Sequence, residues 1–291
     1  MERESPPEPH PAAAEPVAAA PGEERKPEKK KESWWETLRF FLLLFIAAVA
    51  IRSFLFAPFS IPSGSMLPNL MIGDYLFVSK WSYGFSRHSF PFGIASFDGR
   101  IFAGLPERGD IVVFRYPGPE NEDYVKRVIG LPGDRIEVRG GAVILNGRPV
   151  QRQRIADYAM PLSANSPCRG TGAVREVRAA DGSAACAYPR FRETLPGGRS
   201  YEVLDQIADG AGDEMPEMVV PEGQLFVMGD NRDDSLDSRF EVERDGVGLL
   251  PVENLLGRAS IGFWSTDGSA EWLKPWTWFS AARWDRIGQT W

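Results

Sequence analysis

Apolar positions follow two patterns along this chain. Between Phe40 and Phe59 they are nearly continuous. FFLLLFIAAVAI runs to Ile51, Arg52 and Ser53 interrupt it, and FLFAPF carries it to Phe59. The uninterrupted part is short for a spanning helix and would suit a buried helix or a cleaved signal peptide. The full stretch, with one arginine near its far end able to reach the interface, is long enough to cross a bilayer. Beyond it the apolar residues come in short runs rich in Val, Ile, Phe and Tyr. These are YLFVS (75–79), DIVVFRY (110–116), YVKRVIG (124–130), DRIEVR (134–139), AVIL (142–145), LFVM (225–228) and ASIGFW (259–264). Turn signals separate them: LPGD at 131–134, Gly140-Gly141 and Asn146-Gly147. No segment after the first run sustains a 3.6-residue apolar period. The expected fold is therefore mostly β: an antiparallel β-sheet domain with an inserted β-rich subdomain, preceded by one transmembrane helix.

The same pass sets boundaries. Residues 1–33 are Pro, Ala, Glu and Lys with almost nothing large and apolar, and read as a disordered tail. The span is expected over 34–59. The β domain divides into 60–150 and 218–265 around an insertion at 151–217, which is polar, has weak strand signals and carries both cysteines. A shorter insertion is expected at 84–106. The last stretch, 266–291, is rich in tryptophan, which suits either a membrane interface or the edge of a core.

Charge gives the span an orientation. Arg25, Lys26, Lys29, Lys30, Lys31 and Arg39 precede it, and few cations follow it before Lys80. The positive-inside rule puts the N-terminus in the cytoplasm and the β domain outside. The long charged tail before the apolar run argues against a cleaved signal peptide. Outside the cytoplasm disulfides persist, so Cys168 and Cys186 either pair, closing a loop worth about 3 kcal/mol, or stand as two unpaired thiols. A net charge of -7 argues against nucleic acid as a partner.

Candidate chemistry is narrowed by what is missing. There are two histidines: His10 lies in the tail and His88 in a loop-like stretch, so a Ser-His-Asp triad has no promising base. No HExxH occurs, the cysteine and histidine count does not make a zinc site, and GDNRDDSLDSR (229–239) fails the calcium-loop pattern, so no metal or other cofactor is expected. A lysine can replace histidine as base if it is desolvated enough to be neutral. On a strand, YVKRVIG places Tyr124, Lys126 and Val128 on one face. Lys126 is thus flanked by a ring and a branched aliphatic, with no carboxylate. Alone, this equally describes a strand lysine reaching for water. The serines of IPSGSMLPNL (61–70) are likewise turn residues if taken singly.

The combination is more telling. A membrane span, then IPSGSMLPNL, RGDIVVF, YVKRVIGLPGD and GDNRDDSLDSR in that order, closely resembles the bacterial type I signal peptidases, over roughly residues 38–265. The resemblance implies Ser65 as nucleophile and Lys126 as general base. It implies that Ser63 shares the oxyanion hole with the Ser65 N–H, that Ser235 orients the lysine, and that Asp237 and Arg239 support the site. Phe59, Ile61, Pro62 and Val125 are implied to line pockets for small substrate side chains. The implied partners are preprotein signal peptides and the bilayer of the cytoplasmic membrane, with cleavage after Ala-x-Ala-like sites on its outer face. The sequence departs from the family pattern at Asn69, where threonine is common, at Asp234, where asparagine is common, and at FEVERDGVG (240–248). These are expected to change packing rather than chemistry. A membrane-anchored β domain that kept the fold as a binding or assembly factor and lost activity is the alternative. The presence of Ser63, Ser65, Lys126 and Ser235 together disfavours it.

Overall fold

The computed structural model describes residues 34–90, 96–170, 172–179, 181–271 and 273–291; the tail expected over 1–33 lies outside them. Helix α1 (Trp34–Ala50) continues through one π-helical turn (Ile51–Leu55). Within these 22 residues an 18-residue window reaches a mean hydropathy of 2.2. Their large side chains are exposed, which is compatible with a single-pass membrane anchor.

The strands that follow are β1 (Phe56–Ser60), β2 (Asp74–Ser79), β3 (Ile111–Arg115), β4 (Asp123–Gly130), β5 (Arg135–Arg139), β6 (Ala142–Leu145), β7 (Arg148–Pro149) and β8 (Gln151–Pro161). Then come β9 (Arg175–Arg178), β10 (Ala184–Thr194), β11 (Ser200–Leu204), β12 (Met215–Val219), β13 (Gln224–Met228), β14 (Leu250–Pro251) and β15 (Leu255–Ser265), and after them the short helix α2 (Trp276–Ser280). The mostly β, antiparallel class expected from the sequence is what the structure has.

One boundary differs from the expectation. The helix stops at Leu55, not at Phe59. Phe56–Ser60 is an edge strand, in register from Phe56 opposite Ser79 to Ser60 opposite Tyr75. Pro58 explains the change: proline cannot continue a helix, and it holds the residue before it extended. An edge strand tolerates it. The Leu55 carbonyl accepts from the Lys80 amide at 3.0 Å, so the helix end is tied directly to β2.

Seven strands form the main sheet in the order β1-β2-β15-β3-β4-β13-β14. Apolar side chains cover both its faces. Leu76, Val78, Ile111, Val113, Val125 and Ala259 pack on one; Val112, Phe114, Val128, Leu225 and Val227 pack on the other. A second sheet, β12-β5-β6-β7, is folded from two tight hairpins. Their loops are Gly140-Gly141 and Asn146-Gly147, all four at positive φ (53°, 71°, 54° and 75°), as two-residue hairpin loops of this type require. The third sheet, β11-β10-β8 with β9 also on β10, lies within the expected insertion. There Cys168 and Cys186 form a disulfide with Cα atoms 5.3 Å apart. In the last stretch Trp276, Trp278 and Trp284 are exposed, while Trp291 packs on the core beside Ile61.

Candidate active site

The loop after β1 carries the serines, and its flanking residues explain how it is held. Met66 and Leu70 are fully buried in the core that contains Ile61 and Val125. Leu67 and Met71 enter a different core, with Met160, Tyr188 and Leu204 of the third sheet. Ser65 therefore sits on a segment anchored from two sides. Its backbone is fixed as well: the Asn231 amide donates to the Ser65 carbonyl at 3.0 Å, and Asn231 Nδ2 donates to the Gly64 carbonyl at 3.1 Å. Gly229 lies against the same carbonyl. A Cβ there would come within 2.6 Å of the Ser65 oxygen and 2.3 Å of Ser235 Oγ, so only glycine fits between them.

Lys126 comes from β4, opposite Val112 of β3. Its Nζ donates to Ser65 Oγ at 2.7 Å, and it makes no other hydrogen bond among the described residues. The Tyr124 ring lies 6.0 Å away. The side chain is buried, and this burial pushes the amine down from its ordinary 10.5 to about 8. Asp237, Asp230 and Asp234 oppose the shift and Arg239 adds to it. The surroundings thus differ from the expectation. The strand face holds no carboxylate, but the 229–239 segment brings three within electrostatic range. Desolvation is still the larger effect. An ammonium has three protons to place, and here it finds one acceptor.

Ser63 is exposed, with its Oγ 3.4 Å from Ser65 Oγ. The Ser65 amide makes no hydrogen bond among the described residues. Ser235 Oγ is buried and has no partner among the described residues, so the hydrogen bond expected between Ser235 and the lysine is not formed; Lys126 Nζ bonds to Ser65 instead. Asp237 is fully buried. It accepts from the Gly229 amide at 2.9 Å and from Arg239 Nε at 2.8 Å, and Arg239 also donates to the Arg232 carbonyl at 2.6 Å. This holds the 229–239 segment in shape around the serine and lysine.

A cleft of about 570 Å³ opens over these groups, lined in part by Phe59, Pro62, Ser63, Ser65, Val125, Lys126 and Ser235. Ile61 is 2 % exposed and lies under the loop rather than on the wall. A second cleft of about 740 Å³ runs along β1 past Ala57, Phe59, Val78 and Val113 to Lys80 and Arg115.

Two residues went unread in the sequence. Asn231 is the clamp on the Ser65 segment. Asp230 receives Arg127 through both oxygens at 2.7 Å and Asn69 Nδ2 at 2.8 Å. Both sit in the GDN of the last motif, and only their place beside the better-marked Ser235 pointed to them. The departures at 69 and 234 have different consequences. Asn69 is a packing residue, also donating to the Glu202 carbonyl at 2.8 Å. Asp234 lies on the cleft wall, and its carboxyl is raised, chiefly by burial, with Lys126 opposing. It lies within electrostatic reach of Lys126.

Comparison with known proteins shows the family. Residues 34–264 match the family model described as signal peptidase, peptidase S26. Signal peptidase I of Rickettsia typhi is 37 % identical over 227 residues, covering 75 % of this chain and 76 % of that protein. Signal peptidase I of Rickettsia felis is 35 % identical over 248 residues, covering 79 % and 83 %. A crystal structure of a signal peptidase I from Enterococcus faecalis aligns over 54 % of this chain and 98 % of its own, at 23 % identity and a TM-score of 0.28.

Proposed function

Because the chain belongs to the signal peptidase family, peptidase S26, we propose that it is a membrane-bound serine endopeptidase that removes signal peptides from exported preproteins. The observation that supports this reading is the 2.7 Å contact between a buried lysine and Ser65. With its amine pushed down to about 8, Lys126 is neutral in roughly one molecule in ten at pH 7, against fewer than about one in a thousand for an ordinary lysine. The neutral nitrogen takes the Ser65 proton as Oγ attacks the scissile carbonyl, and later returns it to the leaving amine. The free Ser65 N–H and the Ser63 hydroxyl face the oxyanion; a lost donor of this kind costs about 3 kcal/mol of transition-state stabilisation. Ser235, whose buried hydroxyl has no partner among the described residues, accepts a hydrogen bond from the lysine once Ser65 has been acylated. Asp237 and Arg239 position it.

Substrate binding follows from the edge strand. An extended peptide beside residues 59–65 gains backbone hydrogen bonds, and the walls made by Phe59, Pro62 and Val125 admit small side chains, which selects Ala-x-Ala-like sites. The apolar helix anchors the domain with the N-terminus in the cytoplasm. The cleft then lies on the outer face, where a substrate leaves the bilayer.

The test is cleavage of a purified preprotein by the full chain in detergent micelles, with the product N-terminus sequenced. The wild type is expected to cut after the Ala-x-Ala site and a folded Ser65→Ala variant to cut nothing. A wild type that binds the preprotein without cutting it would return the chain to the role of an inactive binding factor.

A further inference from the structure

Beside the 229–239 segment, and outside the reacting groups, three carboxylates converge from three parts of the chain. Asp205 follows β11, Asp213 ends the loop DQIADGAGD, and Asp233 belongs to the short 3-10 turn Arg232–Asp234. One oxygen from each lies within 4.8 Å of the others. Each carboxylate gives one oxygen to the protein. Asp233 Oδ2 accepts from the amides of Gln206 and Ile207 at 2.5 and 3.0 Å. Asp213 Oδ2 accepts from the Gly210 amide at 2.7 Å, and Asp205 Oδ2 accepts from Arg152. The Oδ1 atom of each has no protein donor among the described residues.

Asp213 Oδ1 is the telling one. Asp213 is 4 % exposed, and this oxygen is fully buried without a partner. A buried carboxylate oxygen lacking a donor is costly and calls for a proton or a cation. Arg152 and Arg239 are the cations nearby: Asp205 accepts from Arg152, whose buried Nε has no hydrogen-bond partner among the described residues, and Asp237 accepts from Arg239. The chain also leaves room. Gly210 lies so close under Asp233 Oδ1 that a Cβ would come within 2.5 Å of it, and a Cβ on Gly141 would come within 3.2 Å of Asp213 Oδ1.

We propose that Asp205, Asp213 and Asp233 bind a divalent cation, Ca²⁺ in preference to Mg²⁺. All donors are oxygens, as a hard cation requires. The three oxygens lie within 4.8 Å of one another, and three protein carboxylates suit Ca²⁺ better than Mg²⁺, which gives up its waters reluctantly and takes one or two carboxylates. No single calcium-loop motif marks such a site, because its ligands come from separate segments. Burial and the neighbouring carboxylates raise the carboxyls of Asp213 and Asp233, so a proton competes for the same oxygens. The bound ion ties the 205–213 loop to the segment bearing Ser235; Ala211 and Asp233 both line the 570 Å³ cleft.

The test is thermal unfolding of the full chain in detergent after removal of divalent ions, followed by tryptophan fluorescence, so its outcome is independent of the proposed reaction. Ca²⁺ at about 10 mM, tenfold above the roughly 1 mM dissociation constant of an extracellular-type site, raises the midpoint by about 3 °C. Mg²⁺ raises it less, and Asp213→Asn abolishes the Ca²⁺ effect without lowering the ion-free midpoint. Calorimetric titration of Ca²⁺ into the folded wild type reads the same site directly. Equal shifts in wild type and variant, or no heat and no shift in the wild type, overturn the proposal.

Discussion

Two buried lysines border adjoining clefts in this molecule, and only one faces a group that can lose a proton. Lys126 and Lys80 are 4 % and 7 % exposed. Burial pushes both amines down from 10.5 to about 8. Their partners differ. Lys126 Nζ meets the Ser65 hydroxyl; Lys80 Nζ donates to the Ser89 backbone carbonyl. A hydroxyl can pass a proton to a neutral amine, and a carbonyl has none to pass. Neighbouring charges differ in number: Arg52 lowers Lys80 further and Asp123 opposes it, whereas Lys126 has three carboxylates, Asp237, Asp230 and Asp234, opposing its lowering and Arg239 adding to it. A depressed amine is thus a property of burial, and a general base is a property of burial and partner together.

The largest expected effect separates the two directly. Lys126→Met lowers kcat/KM for preprotein cleavage by about 10³-fold, in the range for loss of a general base, while Lys80→Met leaves cleavage near the wild-type rate. Comparable losses in both variants would erase the distinction. Next is Ser63→Ala, which removes an oxyanion donor from the Lys126 cleft and lowers kcat by about 10²-fold with little change in KM. A change confined to KM would make Ser63 a binding residue.

Stability sharpens the comparison further. The folded value of Lys126, about 8, lies below its ordinary 10.5. Between the two the unfolded chain holds a proton that the folded chain has released, so this group makes stability rise with pH through that window. Below about 8 the cost of the buried charge is fully present. Lys126→Met removes it and raises stability at neutral pH by about 3 kcal/mol, read from urea unfolding. Lys80→Met gains less, because the Ser89 carbonyl loses its donor. A destabilised Lys126→Met would mean that the ammonium is well solvated or paired in the fold. The smallest effect is a pH shift. Asp234 favours the charged lysine, so Asp234→Asn moves the alkaline rise in cleavage rate to lower pH. No movement would place Asp234 outside the electrostatics of the site.

The sequence made these regions legible to different degrees. The main-sheet strands could be read because their residues are apolar on one or both faces: YLFVS, DIVVFRY, YVKRVIG and ASIGFW all fall on strands. The third sheet was hard to read because arginine–carboxylate pairs lie along it. Arg190 and Arg192 reach Glu202, and Arg175 reaches Asp157, so charges interrupt the alternation that marks a strand. Phe56–Phe59 was read as the end of the membrane span because greasy residues suit both a bilayer and a sheet edge; Pro58 was the available signal. Ser65 and Lys126 stood out through the order of motifs and the family resemblance, since a Ser-Gly-Ser and a strand lysine are each common alone. Lys80 carried no sequence signal at all. Its burial comes from the loop bearing Ser89 folding over it, which no local pattern records.

The most direct test of the account is the pH dependence of kcat/KM for preprotein cleavage, measured on the wild type and on Lys80→Met. The account predicts a rate that climbs with pH to a plateau, with an apparent midpoint near the value of about 8 that burial gives Lys126, and the same limb in the variant. A flat profile, or a limb that vanishes when Lys80 is replaced, would contradict the assignment of Lys126 as the base.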